Sequence, residues 1–382
     1  MTSATIIGGG VIGLNVAIEL SHLFDEVYVL EKENHLGMHA SGRSSEVIHA
    51  GIYYAPGSLK AQLCVEGNKL LRQFCKEQNI PHIETGKLVV ATSLKEEKTL
   101  EELLQKGEEN NVPNLKIISG REVKTKVEPN VNCTAALLVQ TSAIFDTATY
   151  INRLAALAQS KGIIIAKSTE VIKIDAKKNE FIVYSKTKGN DPEPFSTDFL
   201  FNAAGVFSDD VAKMVCSENN YKIIPVRGEA AKFYKCRKLE LNLSMNIYPV
   251  PYQHLMENGK TTFTTGVHLT PTLEDQKLGK TITICPLLVN PKHKEDYKES
   301  TPLEEFYTRV INFFPSLQKK DLQQHQCGIS AKISDYKDFL IRQDPSFPRC
   351  IHLLGFDSPG MTASRAVGIY LKKKLKDDFG LR

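Results

Sequence analysis

No stretch of about 18 consecutive apolar residues occurs anywhere in the chain, so nothing in it reads as a membrane span. Neither sign of charge dominates: 48 basic residues against 44 acidic ones leave a net charge of +4, with both signs interspersed. So weak a field does not single out nucleic acid or an anionic bilayer as the main partner, and small molecules are the expected ligands. The eight cysteines (Cys64, Cys75, Cys133, Cys216, Cys236, Cys285, Cys327 and Cys350) include no CxxC pair and no Cys/His cluster at zinc spacing. They read as buried or idle thiols in a reducing compartment, and no metal site is expected. The N-terminus carries neither the basic start and apolar stretch of a signal peptide nor an Arg-rich transit sequence, which points to a cytoplasmic protein. Internal repeats and low-complexity tracts are also missing.

What remains is an ordinary globular composition. At 382 residues, 42% hydrophobic and 24% charged, the chain has the length of two or three domains and a core that needs no disulfide. Its first 31 residues are the most legible. An apolar run at 4–7 ends in Gly8, Gly9 and Gly10; residues 11–23 repeat apolar side chains at helical spacing; residues 26–30 are β-rich. This is a βαβ unit with GxGxxG (Gly8, Gly10, Gly13) at its strand-to-helix turn. The first glycine permits the tight turn, the second lets the backbone approach a pyrophosphate, and the third lets helix and strand pack closely. The helix N-terminus, with the amides of Val11 and Ile12, presents a positive dipole end to phosphate. Glu31 closes the second strand 18 residues after Gly13, placed to accept hydrogen bonds from ribose hydroxyls. An acid there disfavours a 2′-phosphate, leaving FAD or NAD.

After this unit the βαβ pattern stops. Residues 36–54 are rich in Gly, Ser and His and read as a long loop. A helix is expected over 147–160, capped by Asp146, followed by two short strands within 163–174, a strand at 199–202 running into Ala203, Ala204 and Gly205, a strand at 351–354 and a closing helix at 360–374. Between these lie a β-rich run at 86–92, a charged helix at 95–110 and several strand candidates over 229–285, divided by Pro, Asn and Gly turns. The expected fold is α/β: a discontinuous nucleotide-binding domain (1–85, 145–222 and 328–382) interleaved with a mainly antiparallel α+β substrate domain (86–144 and 223–327).

The N-terminal GxGxxG with Glu31, the NAAG run at 202–205 and the segment 355–364 resemble the FAD-dependent oxidoreductases of the D-amino-acid oxidase superfamily. Within it the chain is most similar to the L-2-hydroxyglutarate dehydrogenase group, through VIHAGIYYAPGSLKAQLCVEGNKLL at 47–71, GKLVVAT at 86–92, PVRGE at 225–229, IYPVP at 247–251 and GVHL at 266–269. The resemblance implies a glutathione-reductase-like Rossmann-type domain binding FAD. It departs from the group at Arg43 to Glu46, at Cys285 to Leu287 and at Gly355 to Gly360, so it speaks more directly to the cofactor than to the substrate.

The same resemblance implies that flavin contacts reach beyond the fingerprint. Lys32 follows Glu31; Ser41, Arg43, Ser44, Ser45, His49 and Ala50 lie in the long loop; Val171 follows the middle helix; Ala203, Ala204 and Gly205 form the NAAG turn. Lys332 would stand near the N1 and O2 end of the ring, with Gly355, Gly360, Met361 and Thr362 at the last strand and helix. Oxidising a 2-hydroxy acid requires a base for the hydroxyl proton and cations for the carboxylates. His49 is the first candidate base, or else a hydrogen-bonding partner of the flavin; His268 is the second, or else a core residue. Arg227 offers a planar fork for one carboxylate, with Arg43 and Lys60 as alternatives. Tyr53, Tyr54 and Tyr248 could donate hydroxyls or simply pack. An amino-acid oxidase of the same superfamily and a non-catalytic flavin-bound assembly factor are the competing functions. Lys372, Lys373, Lys374 and Lys376 on the last helix favour a helix C-terminus or a weak contact with anionic lipid.

Overall fold

The structure is a computed structural model and describes residues 2–187, 190–255 and 261–381. The chain divides into two compact units, each assembled from separate segments: Met1–Arg43, Thr147–Pro225 and Ser330–Arg382 form one, Ser44–Asp146 and Val226–Ile329 the other.

The first unit is built on a six-stranded sheet. Its centre is the apolar strand Ser3–Ile7, which pairs in parallel with Glu26–Leu30 on one side and Phe199–Asn202 on the other. Ile164–Ala166 extends one edge in parallel, Cys350–Leu354 the other, and Leu340–Gln343 closes that edge antiparallel. Strands buried on both faces need continuous apolar runs, and Phe199, Leu200, Phe201 and Asn202 are all buried. Helices Val11–Leu20, Thr147–Ser160 and Gly360–Phe379 are knit together by Tyr150, whose hydroxyl accepts from Asn15 Nδ2 at 3.0 Å and lies 2.9 Å from Ser364 Oγ. The last helix runs five residues past the expected end, to Phe379, and stops at Gly380, whose φ of +64° is the left-handed cap that glycine favours. On that helix Lys372 pairs with Glu19 and Lys374 with Asp378, so two of the four lysines read as helix C-terminal cations or a weak lipid contact are engaged within the protein.

The second unit carries an eight-stranded sheet in the order Gln323–Ile333, Ile223–Tyr234, Lys277–Val289, His268–Glu274, Asn246–Pro249, Lys87–Ala91, Ala135–Val139, Leu115–Ser119. Asn246–Pro249 and Lys87–Ala91 run parallel, while Lys277–Val289 is antiparallel to both Ile223–Tyr234 and His268–Glu274. Alternation sends successive side chains to opposite faces. Leu88, Val90, Ile247 and Leu269 meet Phe306, Val310, Phe313 and Phe314 on one face. Val89, Ala91 and Tyr248 meet Ala50, Ile52, Tyr53, Leu100 and Leu103 on the other.

Residues 44–85, expected with the nucleotide-binding segments, fold in this second unit instead. The cause is a small sheet in which Val47–Ile48 and His82–Ile83 both pair with Ala143–Phe145, and Phe145 N donates to Glu46 O. These bonds tie the ends of the segment to residues 143–145.

Candidate functional site

In the first unit the glycine turn is formed as its sequence requires. Gly8 has φ +112°, and a Cβ there would stand 2.5 Å from Ala203 O; one at Gly13 would stand 2.0 Å from Gly8 O. Both contacts are with backbone, so neither position tolerates a side chain. The NAAG turn therefore abuts the fingerprint, and Ala203 N donates to Ile7 O. Gly10 precedes the helix, Val11 N donates to Ser41 Oγ at 3.1 Å, and Ile12 is half-buried in the first turn.

Glu31 is buried beside this turn. Its carboxylate accepts from Gly9 N at 2.8 Å and from Glu33 N at 2.9 Å, which leaves acceptor positions for ribose hydroxyls. Burial raises its pKa, opposed by these two amides. Lys32 lies with its ammonium 3.7 Å from the Phe207 ring centroid. Val171 packs with Ile7, Leu30 and Ala204 behind the turn. Asn202, the first residue of NAAG, heads a buried polar chain. Its amide donates to Ser208 O and lies 3.1 Å from His352 Nδ1, His352 Nε2 lies 3.1 Å from Asp344 Oδ2, and that oxygen accepts from Asn219. Burial works against ionisation of Asp344, but the donors His352, Asn219 and the amides of Ser346 and Phe347 hold it down to about 2. Gly205 (φ +58°) opens the short helical turn Gly205–Phe207 and Gly355 (φ +73°) follows the strand Cys350–Leu354, both in left-handed conformations, and a Cβ on Gly355 would strike Ile333. Gly360 opens the last helix, followed by half-buried Met361 and buried Thr362; its N-cap residue, Pro359, makes no side-chain cap hydrogen bond. Arg43 donates from Nε to Met38 O, and Lys332 is half-buried on its strand.

The second unit brings His49, Tyr248 and His268 together, with one residue that the sequence reading passed over. Tyr248 and His268 stack with ring centroids 3.8 Å apart and planes 9° from parallel. On the Tyr248 ring lies the ammonium of Lys87 at 3.9 Å, which is also 5.3 Å from the Tyr53 ring. Lys87 is only 1% exposed. It opens the apolar strand Lys87–Ala91 on the same face as Val89, and a charge at the head of such a run (GKLVVAT) was the available signal.

His49 is fixed through its backbone: its carbonyl accepts from Asn68 Nδ2 at 3.0 Å and from Cys64 Sγ at 3.6 Å. Burial first, then the charges of Lys87 and His268, hold its imidazole well below the ordinary histidine range, hence neutral. His268 uses both ring nitrogens locally, Nδ1 at 3.1 Å from Gly266 O and Nε2 at 3.7 Å from Cys285 Sγ, and burial lowers it to about 3. That describes the packed alternative better than a base. Cys64 and Cys285 are driven up to about 12 by burial, so both remain thiols. Ser44, Ser45 and Ala50 lead into and follow His49; Ser44 O accepts from Gln326, and Ala50 is buried.

Arg227 is not available to a substrate carboxylate. Its Nε donates to Glu229 Oε1 at 2.9 Å, Nη2 reaches the same oxygen at 2.8 Å and Ser300 Oγ at 2.7 Å, and Nη1 reaches Asp296 O at 3.0 Å and Oδ2 at 2.9 Å. The planar fork works as expected, but on protein groups. Glu229, fully buried, additionally accepts from the amides of Ser300 and Thr301. Burial opposes its ionisation, and these amides bring it below the usual carboxylate value.

A glycine cradle with a buried acid beside it on a mainly parallel sheet, carried in one chain with a mainly antiparallel unit that buries titratable groups, is the arrangement of a dinucleotide-dependent oxidoreductase. The chain belongs to the family of FAD dependent oxidoreductases, whose description matches residues 3–373. Its cofactor is FAD. It is 32% identical over 406 residues to L-2-hydroxyglutarate dehydrogenase of Indibacter alkaliphilus, covering 95% of this chain and 96% of that protein. A glycerol 3-phosphate dehydrogenase of Caloramator mitchellensis is 30% identical over 99% of this chain and 74% of its own length. Among solved structures, L-alpha-glycerophosphate oxidase of Mycoplasma pneumoniae, reduced by dithionite and with FAD bound, superposes with a TM-score of 0.83 at 26% identity, covering 97% of this chain and 94% of that one. No helix among the described residues is long and apolar enough to cross a membrane.

Proposed function

We propose that the protein oxidises the secondary alcohol of an anionic small molecule, with L-2-hydroxyglutarate the favoured substrate and 2-oxoglutarate the product. The observation that carries this reading is the end-to-end match to an L-2-hydroxyglutarate dehydrogenase, 95% of one chain against 96% of the other. The glycerol 3-phosphate dehydrogenase relative extends well beyond the match.

FAD supplies a two-electron acceptor for the hydride of the carbinol carbon. In this reading Gly8, Gly10, Gly13 and the amides of Val11 and Ile12 receive its pyrophosphate, Glu31 its ribose, and Ser41, Val171 and the Ala203–Gly205 turn flank it. Lys332 and the helix start at Gly360, Met361 and Thr362 provide positive potential for the reduced form. His49 takes the hydroxyl proton: its neutral imidazole has the lone pair this requires, and Asn68 fixes its backbone. His268 and Tyr248 support the wall, and Arg227 holds the fold rather than the substrate.

A second reading, glycerol 3-phosphate as substrate, draws on the Mycoplasma pneumoniae oxidase and the Caloramator mitchellensis dehydrogenase. Anaerobic mixing of the purified yellow protein with L-2-hydroxyglutarate, sn-glycerol 3-phosphate and a panel of amino acids, followed by flavin absorbance, separates the possibilities. Rapid bleaching by L-2-hydroxyglutarate is expected. Bleaching by glycerol 3-phosphate or an amino acid alone overturns the choice of substrate, and bleaching by none leaves the assembly role.

A further inference from the structure

The face of the second unit's sheet that carries Tyr248 and His268 holds a row of polar groups on an otherwise apolar wall. Tyr248 lies across from His268, since Ile247 and Leu269 are register partners on antiparallel strands, and His268 lies across from Cys285. Lys87 stands beside this row with its ammonium on Tyr248. Every titratable group facing it is neutral or a base: Tyr53 and His49 from the preceding segment, Cys64 from helix Leu59–Glu77, and Tyr248 and His268 from the sheet. Among the described residues no aspartate or glutamate pairs with Lys87. A buried cation without an acid is costly, and proteins that keep one supply its counter-charge in some other way.

We propose that Lys87 is the internal charge that attracts the anionic arm of the substrate, a carboxylate or a phosphate, with the substrate itself supplying the anion that this wall lacks. The proposal rests on the reading of the substrate as an anionic alcohol. Lys87 acts by its charge from beneath the tyrosine rings, so it is a positioning residue. Burial, opposed only by Cys64, lowers it to about 7. Near neutral pH its ammonium is therefore partly discharged, and an arriving anion draws a proton onto it. Above that titration, anion binding has to take up a proton, and the dissociation constant rises by about tenfold per pH unit.

The test uses FAD-loaded protein and two anions that carry no oxidisable alcohol, glutarate and inorganic phosphate, read by perturbation of the flavin absorption spectrum from pH 6 to 10. In the wild type, the dissociation constant of the anion that fits rises with pH above neutrality. K87R keeps its charge throughout, so its glutarate binding stays tight and flat across the range, and its phosphate binding follows only the second ionisation of phosphate itself. K87M binds at least about tenfold more weakly at pH 6, also without the slope. A glutarate response points to a carboxylate arm, a phosphate response to a phosphate arm. If K87M loses FAD, the K87R profile decides alone: a slope equal to the wild type's means that another group titrates, and the proposal fails. It fails equally if K87M retains wild-type affinity and slope. These outcomes do not depend on turnover. A wild type that L-2-hydroxyglutarate cannot reduce, with the Lys87 profiles intact, overturns the substrate and not the anion site.

Discussion

Replacing Arg227 by lysine distinguishes two roles for one residue. Were Arg227 a substrate clamp, R227K would leave the fold untouched and raise KM, because an ammonium cannot reproduce a planar fork. The structure predicts the reverse. Five donors of Arg227 are committed to Glu229, Asp296 and Ser300, and both Arg227 and Glu229 are buried. Lysine preserves the charge but has three donors around a single atom, so it forfeits about two charge-assisted hydrogen bonds worth roughly 1.5–3 kcal/mol each. A loss of roughly 3–5 kcal/mol follows, the range for breaking a buried ion pair. In a folding unit of about 200 residues, that lowers Tm by roughly 6–20 °C. The assay is thermal unfolding of the FAD-loaded protein, paired with initial rates on L-2-hydroxyglutarate well below the variant's Tm. A KM within about twofold of wild type, with the lowered Tm, is expected. An unchanged Tm together with a KM raised by tenfold or more would refute the reasoning and restore the clamp.

Gly13→Ala places a Cβ 2.0 Å from Gly8 O, so the turn must open and the purified protein should come off the column without its yellow colour; stoichiometric FAD in this variant counts against the cradle. Asp344 has its pKa depressed on folding, so its contribution, about 2 kcal/mol from the difference between 3.8 and about 2, is complete above about pH 4 and disappears as pH falls through 2. Asp344→Asn should therefore destabilise the protein near pH 6 by about that amount, with the gap to wild type closing in acid; denaturant unfolding at several pH values measures it, and a gap that persists below pH 2 contradicts an ionised Asp344 held by these donors.

The parts legible in the sequence were local ones. The fingerprint, Glu31 and the NAAG strand lie where expected because each is specified within a few residues by turn chemistry and period. What escaped the sequence depends on distant pairing. Strands Val47–Ile48 and His82–Ile83 are two residues long and find their partner at Ala143–Phe145, about 60 to 100 residues away, so neither a period nor a turn announces them. The chemistry of Arg227 identifies a fork but not its partner; the clue to the partner is Glu229 two positions on, which alternation puts on the same side of the strand. Lys87 is not marked by the run GKLVVAT, which reads as an apolar strand with a charged first residue; its significance follows from the burial of that strand on both faces.

The packing of the last helix on the first has a consequence for synthesis. Gly368 lets the closing helix approach until a Cβ there would stand 2.6 Å from Asn15 O, and Ser364 meets Tyr150, which also holds Asn15. The glycine turn and the helix behind it therefore leave the ribosome well before the closing helix, and their packing is incomplete until Gly360–Phe379 follows. At about 5–20 residues per second, that interval is tens of seconds. During it the N-terminal helix, buried over most of its surface in the finished protein, is left with an exposed apolar flank. The nascent chain is therefore a candidate for chaperone binding at Val11–Leu20, and the flavin cradle gains its last packing partner only once Gly360–Phe379 has been made.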